Sequence, residues 1–244
     1  MCAQSYLRPR MRPSLDIILP IYQPSDDWFE QLILADAYWA REMSDVTICY
    51  LIVDDGSASP QSEKAQARWA QLTASVRYLR YENNGGKGKA VRHGALHSEA
   101  DILIYTDHDL PYEMKHIPEF YGAVTDGNAD LVLCHRDEKY FSMTPPARRA
   151  ISSVLKTLIK TFVRIPTTDT QGGLKALSPA ARDLLRQLKT DSYLFDLELV
   201  KDVHKAGLKI TSLPVELREN LEFSSMPASL LLKEFRAFLR ILVK

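Results

Sequence analysis

The chain has 244 residues, 45% hydrophobic and 25% charged, enough for one large domain with a real core and too ordinary for a disordered or fibrous protein. Its 31 basic and 31 acidic residues cancel, so no global field draws it to nucleic acid. Cys2, Cys49 and Cys134 are too scattered for a metal cluster or a disulfide framework, which points to a reducing, cytoplasmic setting.

Residues 1–14 read as a tail. Arg8, Arg10 and Arg12 precede Ile17 to Ile21, an apolar stretch too short for a signal peptide. Leu15 to Tyr22 is a buried strand whose ladder Pro20, lacking a donor, should end. Ser25-Asp26-Asp27 caps a helix reaching about Met43. Val46 to Val53 is nearly continuous apolar sequence, as in a parallel strand covered on both faces. It runs out in Asp54-Asp55-Gly56-Ser57. Pro60 opens a further helix, and Val76 to Tyr81 alternates as a third strand. Residues 83–89 form a glycine-rich turn leading into a helical segment, Ala90 to Ser98. Ile102 to Tyr105 is a short central strand, followed at once by Asp107-His108-Asp109. Glu113 to Val124 is helical and Asp130 to Cys134 is a fifth strand. This alternation predicts an α/β fold with a mostly parallel sheet, helices on both faces and right-handed crossovers.

The second half opens with Pro145-Pro146 and a long helix to about Arg164. Ile151, Val154, Leu155, Leu158, Ile159 and Phe162 follow its period, with Arg149, Lys156, Lys160 and Arg164 opposite and Arg148 nearer the apolar side. Residues 168–175 form a glycine-containing loop that enters a short strand. Ser178 caps a helix. Tyr193 to His204 is another, closed at Ala206-Gly207. Leu208 to Leu217 is the last strand. Ser229 to Val243 is amphipathic, with Lys233, Arg236, Arg240 and Lys244 along one side. No apolar run approaches the roughly 20 residues of a spanning helix.

Chemistry gathers where strands end, the edge at which α/β sheets bind ligands. Asp107 and Asp109 are poor core residues, because burying an unpaired carboxylate costs several kcal/mol. Splayed by one residue, they suit a hard divalent cation that brings phosphate oxygens with it; the alternative is an acidic turn. Asp54 can accept hydrogen bonds from a base or ribose, or close an Asx-type turn with Gly56. Lys87, between Gly86 and Gly88 and just before a helix, would add a point charge for a diphosphate at an anion-favouring helix end. No Walker spacing is present. His108 reads as a positioned or exposed side chain rather than a ligand. Three strand ends converge on one edge, and random placement would scatter them.

Val53-Asp-Asp-Gly-Ser57, Asn84-Gly-Gly-Lys-Gly88, Asp107-His-Asp-Leu110, Arg148-Arg149, Asp169-Thr-Gln171 and Phe195-Asp-Leu-Glu-Leu199 occur in this order. The set resembles the family-2 glycosyltransferases of the A-type fold, over about Leu15 to Leu217. Asp169-Thr-Gln followed by Gly-x-Lys, with Phe-Asp-x-Glu-Leu, resembles the dolichyl- or polyprenyl-phosphate mannosyl- and glucosyltransferase branch. The resemblance implies one domain over 15–220, a nucleotide-binding half at 15–135 and an acceptor half at 136–220, with 221–244 as a C-terminal amphipathic helix.

It also implies roles. Pro20 and Tyr22 line the base; Asp54, with Asp55 beside it, meets base or ribose. Lys87 and His108 lie by the diphosphate, and Asp107 and Asp109 hold Mg²⁺ or Mn²⁺ together with it. Arg136 meets a phosphate, and Arg148 or Arg149 the lipid phosphate. Asp169 and Gln171 line the sugar and acceptor pocket. Asp196 sits near the reacting centre or orders the acceptor loop. Arg218 belongs to the loop that closes over the phosphates. The chain departs from the family at Gln23, usually Asn or Glu, and at Cys134-His135-Arg136, usually Gly-Ser-Arg. It also departs after Pro214, where no lysine follows the serines.

The implied reaction is transfer of a hexose, with inversion, from UDP- or GDP-hexose to a polyprenyl phosphate. Such a phosphate is anionic near neutrality, its second pKa being about 6, so no strong base is needed. Two other readings stay open: transfer to a glycan hydroxyl, with Asp169 or Asp196 as base, and a nucleotide-sugar-binding protein without transfer. The basic faces of the 147–164 and 229–243 helices would let the chain lie peripherally on the cytoplasmic face of a membrane, or simply stay solvated.

Overall fold

The computed structural model describes residues 12–25, 28–59, 61, 66–136, 172–192 and 194–218. In chain order these form β1 (Ser14–Ile21), α1 (Trp28–Glu42), β2 (Thr47–Asp54), a 3-10 turn (Arg68–Gln71), β3 (Ser75–Arg80), α2 (Lys87–Leu96) and β4 (Ile102–Tyr105). Then follow α3 (His116–Thr125), β5 (Leu131–Arg136), β6 (Lys175–Leu177), α4 (Pro179–Gln187), α5 (Phe195–Lys205) and β7 (Ile210–Val215). The strands make one seven-stranded sheet in the order β3-β2-β1-β4-β6-β5-β7. All pairings are parallel except those of β6, which runs antiparallel to both β4 and β5.

The near-continuous apolar strands are explained by two cores. Ile17, Leu19, Tyr50, Ile52 and Ile104 face the layer of α1 and α3, against Trp28, Leu32, Trp39 and Phe120. Their neighbours Ile18, Leu51, Val53, Leu103 and Tyr105 face the other way, against Val91, Leu185, Phe195 and Leu199 of α2, α4 and α5. Successive residues of a strand point to opposite faces, so a sheet covered twice leaves no polar phase. Each fully buried Leu or Ile contributes about 1.5–3 kcal/mol. β3 stands at the edge and keeps an alternating, half-exposed pattern.

Several boundaries shift for identifiable reasons. The ladder of β1 continues past Pro20 to Ile21 opposite Asp54. The Ile18 carbonyl accepts from Thr106 on the β4 side, whereas that of Ile21 accepts from Asp55 on the β2 side. Pro20 therefore turns its missing donor toward β4, which has already ended. α2 begins at Lys87, not Ala90, so the lysine lies within the first turn. α3 begins at His116 because Pro111–Glu113 instead runs beside 216–218: the Glu113 N–H donates to the Glu216 carbonyl (3.1 Å) and that of Arg218 to Pro111 (2.9 Å). After Pro60, the described helical residues are confined to 66–71. The Ser178 cap forms as expected, its hydroxyl accepting from Ala181 N–H at 3.3 Å. Gly207 closes α5 at φ 71°. Cys134 is buried and Cys49 half-buried. The helices expected at 146–164 and 229–243 lie outside the described residues. Among the described residues no helix is long and apolar enough to cross a membrane.

Candidate functional site

β4 ends at Tyr105, and the chain turns so that the Leu110 N–H donates to the Asp107 carbonyl at 3.0 Å. Leu110 adopts φ 46°, a left-handed conformation that costs a branched side chain about 1–2 kcal/mol. Its side chain is buried, which offsets that cost. The turn places Asp107 at the sheet edge and leaves Asp109 exposed. The Asp107 carboxylate accepts from the Lys87 ammonium, Oδ1 to Nζ 2.5 Å. Partial desolvation raises the Asp109 carboxyl from its ordinary value although the residue stays open to solvent, and the Asp107 charge pushes the same way. Burial lowers the His108 imidazole, against the pull of the two aspartates and of a hydrogen bond to the Pro20 backbone. The same ring meets Trp28 edge-on, centroids 6.1 Å apart. His108 thus fastens the acidic turn to β1 and α1.

Asp54 and Asp55 lie beneath this edge rather than on it. Asp54 is fully buried; Oδ1 accepts from Ser57 N–H (2.8 Å) and Oδ2 from the Tyr78 hydroxyl (2.6 Å), with Arg80 3.7 Å away. As placed, it offers no surface to a base or ribose. Burial, and then this hydrogen bond, push the Tyr78 phenol up to about 12. Asp55 is equally enclosed and accepts from the backbone N–H groups of Gly85 (2.7 Å) and Gly86 (2.8 Å) and from the Tyr81 hydroxyl (2.6 Å). Gly86, at φ 96°, caps α2. On the far side the Gly88 N–H donates to the Asp191 carbonyl at 3.0 Å. Glu198 orders that connection by accepting from Thr190 N–H at 2.9 Å. Lys87 is therefore presented by a backbone clamped from β2 and from the α4–α5 connection.

At the end of β1, Tyr22 is 47% exposed beside half-buried Pro20, an aromatic face open to a planar ligand. Gln23, at φ 46°, donates its N–H to the Ser57 hydroxyl (2.9 Å), tying the ends of β1 and β2 together. Arg218 donates from Nη2 to the Asp109 carbonyl at 3.2 Å, so it sits over the acidic turn. It also borders a cavity of about 370 Å³ lined by Ala35, Trp39, Leu110 and Tyr112 among others.

Asp196 is buried, pairs with the Lys175 ammonium at 2.8 Å and accepts from the Tyr105 hydroxyl at 2.5 Å. Lys175 also donates to the Gly172 carbonyl at 2.7 Å. Of the two roles considered for Asp196, this geometry fits ordering the loop. Arg148, Asp169 and Gln171 lie outside the described residues, as does the side chain of Arg136. Sequence reasoning quoted Lys175 only inside a family motif and missed Tyr105, Tyr78 and Tyr81. The available signal was Tyr105 closing a short apolar strand and Lys175 opening another, where such groups need partners.

Asp107 and Asp109 could hold a divalent cation. Among the described residues no group of three or more His, Cys, Asp or Glu side chains could bind a metal by itself. The pair suits Mg²⁺ or Mn²⁺ completed by ligand oxygens and water, since both ions prefer hard oxygen donors.

The sequence model of Glycosyl transferase family 2 matches residues 23–184. Glycosyltransferase AglD of Haloferax volcanii is 27% identical over 168 residues, 68% of this chain and 27% of its own length. This chain thus spans about a quarter of that relative. Dolichyl-phosphate beta-glucosyltransferase ALG5C of Trichomonas vaginalis is 24% identical over 240 residues, 88% of this chain and 71% of the relative. Glucosyl-3-phosphoglycerate synthase of Mycobacterium tuberculosis, solved with Mn²⁺, UDP and glucosyl-3-phosphoglycerate, superposes with a TM-score of 0.63 at 17% identity. That superposition covers 93% of this chain and 76% of the other.

Proposed function

Because this chain belongs to glycosyl transferase family 2 and has the A-type fold of its solved neighbours, we propose that it moves a hexose from a nucleoside-diphosphate sugar to the phosphate of a polyprenyl phosphate, with inversion. The observation that carries the proposal is the Lys87–Asp107 pair, which brings a cation suited to diphosphate oxygens and a carboxylate suited to a divalent metal to one point of the sheet edge. Asp107 and Asp109 would hold Mg²⁺ or Mn²⁺. When bound, the ion supplies Lewis-acid stabilisation of the departing diphosphate. Lys87 adds charge from the first turn of α2, where the helix dipole also favours an anion. Tyr22 stacks on the base, and His108 keeps the acidic turn in register with β1. Arg218 draws the 216–218 segment over the leaving group.

A phosphate oxygen of the acceptor attacks the anomeric carbon as the bond from that carbon to the diphosphate breaks. The acceptor is already anionic, so the task is alignment and charge stabilisation. Arg136, Arg148 and Arg149 are assigned to phosphates, and Asp169 and Gln171 to the sugar and acceptor, on the strength of their motifs. The state of Asp196 supports a phosphate acceptor over a hydroxyl one. Paired with Lys175 and hydrogen-bonded by Tyr105, its buried carboxylate is engaged within the protein and not turned toward an acceptor hydroxyl. The dolichyl-phosphate relative favours the same acceptor class. Contact with the membrane surface through the basic faces at 147–164 and 229–243 belongs to this proposal.

Purified protein incubated with a panel of UDP- and GDP-hexoses, Mn²⁺ or Mg²⁺, and either dolichyl or undecaprenyl phosphate should form a polyprenyl-phosphate hexose. Transfer to a soluble glycan with no lipid present, or nucleotide binding with neither transfer nor hydrolysis, would refute it. Co-sedimentation with vesicles, with and without anionic lipid, tests the membrane contact separately.

A further inference from the structure

Lys175 is 1% exposed, in a three-residue strand between β4 and β5. In the register it stands opposite Tyr105, the last residue of β4 and two before Asp107. Its ammonium meets the Asp196 carboxylate (2.8 Å) and the Gly172 carbonyl (2.7 Å), and lies 5.4 Å from the centre of the Tyr105 ring. A buried ion pair is weak support for a fold, since apolar residues of equal volume often serve as well. The informative bond is the one to Gly172, because it fixes the peptide that leads into Gly173.

That peptide is the wall against which Asp107 rests. A Cβ at Gly173 would lie 2.1 Å from Asp107 Oδ2, and one at Gly172 would lie 2.0 Å from Cys134 Sγ. The chain therefore threads a slot with no room for side chains. The Gly173 N–H donates to the Tyr112 hydroxyl at 3.0 Å, which holds it from the other side. Asp107 has Lys87 on Oδ1 and Gly173 against Oδ2. Its orientation depends on both.

We infer that Lys175, with Asp196 and Tyr105, is a positioning cluster for Asp107: its buried ammonium anchors Gly172 so that Gly173 sets the carboxylate for a divalent cation. The inference deepens the proposed function, since the cation is the one that reading requires. Groups outside the first coordination shell commonly alter metal affinity by about 10–100-fold when removed.

The test is the paired variant Lys175→Met/Asp196→Asn, which discharges both partners together and leaves Tyr105 an acceptor. It should unfold in one cooperative transition. Hydrogen exchange at the Gly173 amide should rise roughly ten-fold or more, and the Mn²⁺ concentration needed for UDP binding should rise by about ten-fold. A folded variant with wild-type exchange at Gly173 overturns the inference, as does an unchanged Mn²⁺ requirement. If the wild type binds no nucleotide with Mn²⁺, the proposed function fails, while the exchange measurement still judges the anchor. Should the pair variant not fold, Tyr105→Phe keeps the ion pair and removes one hydrogen bond to it. Faster exchange at Gly173 is then the supporting result, and unchanged exchange the refuting one.

Discussion

Lys87 Nζ stands 2.5 Å from Asp107 Oδ1, joining the first turn of α2 to the end of β4. The two residues are 20 apart in sequence and meet because β3, the glycine turn and β4 all finish at one edge. Lys87→Met should lower affinity for a nucleoside diphosphate by about ten- to a hundred-fold, the weight of a charge-assisted hydrogen bond. Titration calorimetry with UDP or GDP and Mn²⁺ measures it. Equal affinity in the variant would remove the lysine from the diphosphate site.

Asp109 is exposed, and Asp107 keeps 38% of its side-chain surface. Asp109→Asn should therefore leave stability within about 0.5 kcal/mol of wild type. Metal-dependent transfer should fall by at least about a hundred-fold, in line with loss of a metal ligand and not only of its support. A melting curve beside a turnover assay separates the two effects. Full turnover in Asp109→Asn would contradict its role in holding the cation.

Asp54 behaves oppositely. It is fully buried, and removing it strands Tyr78 and the Ser57 N–H. Asp54→Ala should cost about 2–3 kcal/mol in chemical denaturation, the usual scale for hydrogen bonds to a charged group lost and their donors left unpaired. The Tyr78 phenol, raised to about 12 first by burial and then by Asp54, should ionise at lower pH in Asp54→Asn. The sign follows from linkage: a folded pKa above the unfolded value of about 10 gives stability that is present below pH 10 and lost as pH climbs toward 12. Absorbance titration of the phenolate reads the shift directly.

The strand-end motifs were legible because their chemistry is local: a carboxylate after four apolar residues, or a lysine between glycines, is visible without a fold. The sheet was legible from its apolar runs. The inward direction of Asp54 and Asp55 was not, since the groups that turn them inward, Tyr78, Tyr81 and the Gly85-Gly86 backbone, come from a different strand and loop. Nor was the buried partnership of Lys175 with Asp196, whose members are 21 residues apart and meet only after β6 inserts antiparallel beside β4. The start of α3 was misjudged for a related reason: Pro111–Glu113 is claimed by the distant 216–218 segment, a tertiary demand that outranks local helical pattern.

Gly86 and Gly127 both take left-handed backbones, φ 96° and 70°, yet only one should matter to the site. A Cβ on Gly127 would meet nothing within 4 Å, so Gly127→Ala carries the conformational cost alone, about 1 kcal/mol. A Cβ on Gly86 would lie 2.7 Å from the Asp191 carbonyl oxygen, a backbone atom that cannot swing aside. Relief would have to come from the Asp55 clamp or from the turn that carries Lys87. Gly86→Ala should therefore cost about 2–3 kcal/mol, strain and displacement together, and weaken diphosphate binding as well. Urea unfolding and nucleotide titration on the two alanine variants give the comparison. Matching behaviour of the pair in both measurements would mean that the close approach at Asp191 does not position Lys87.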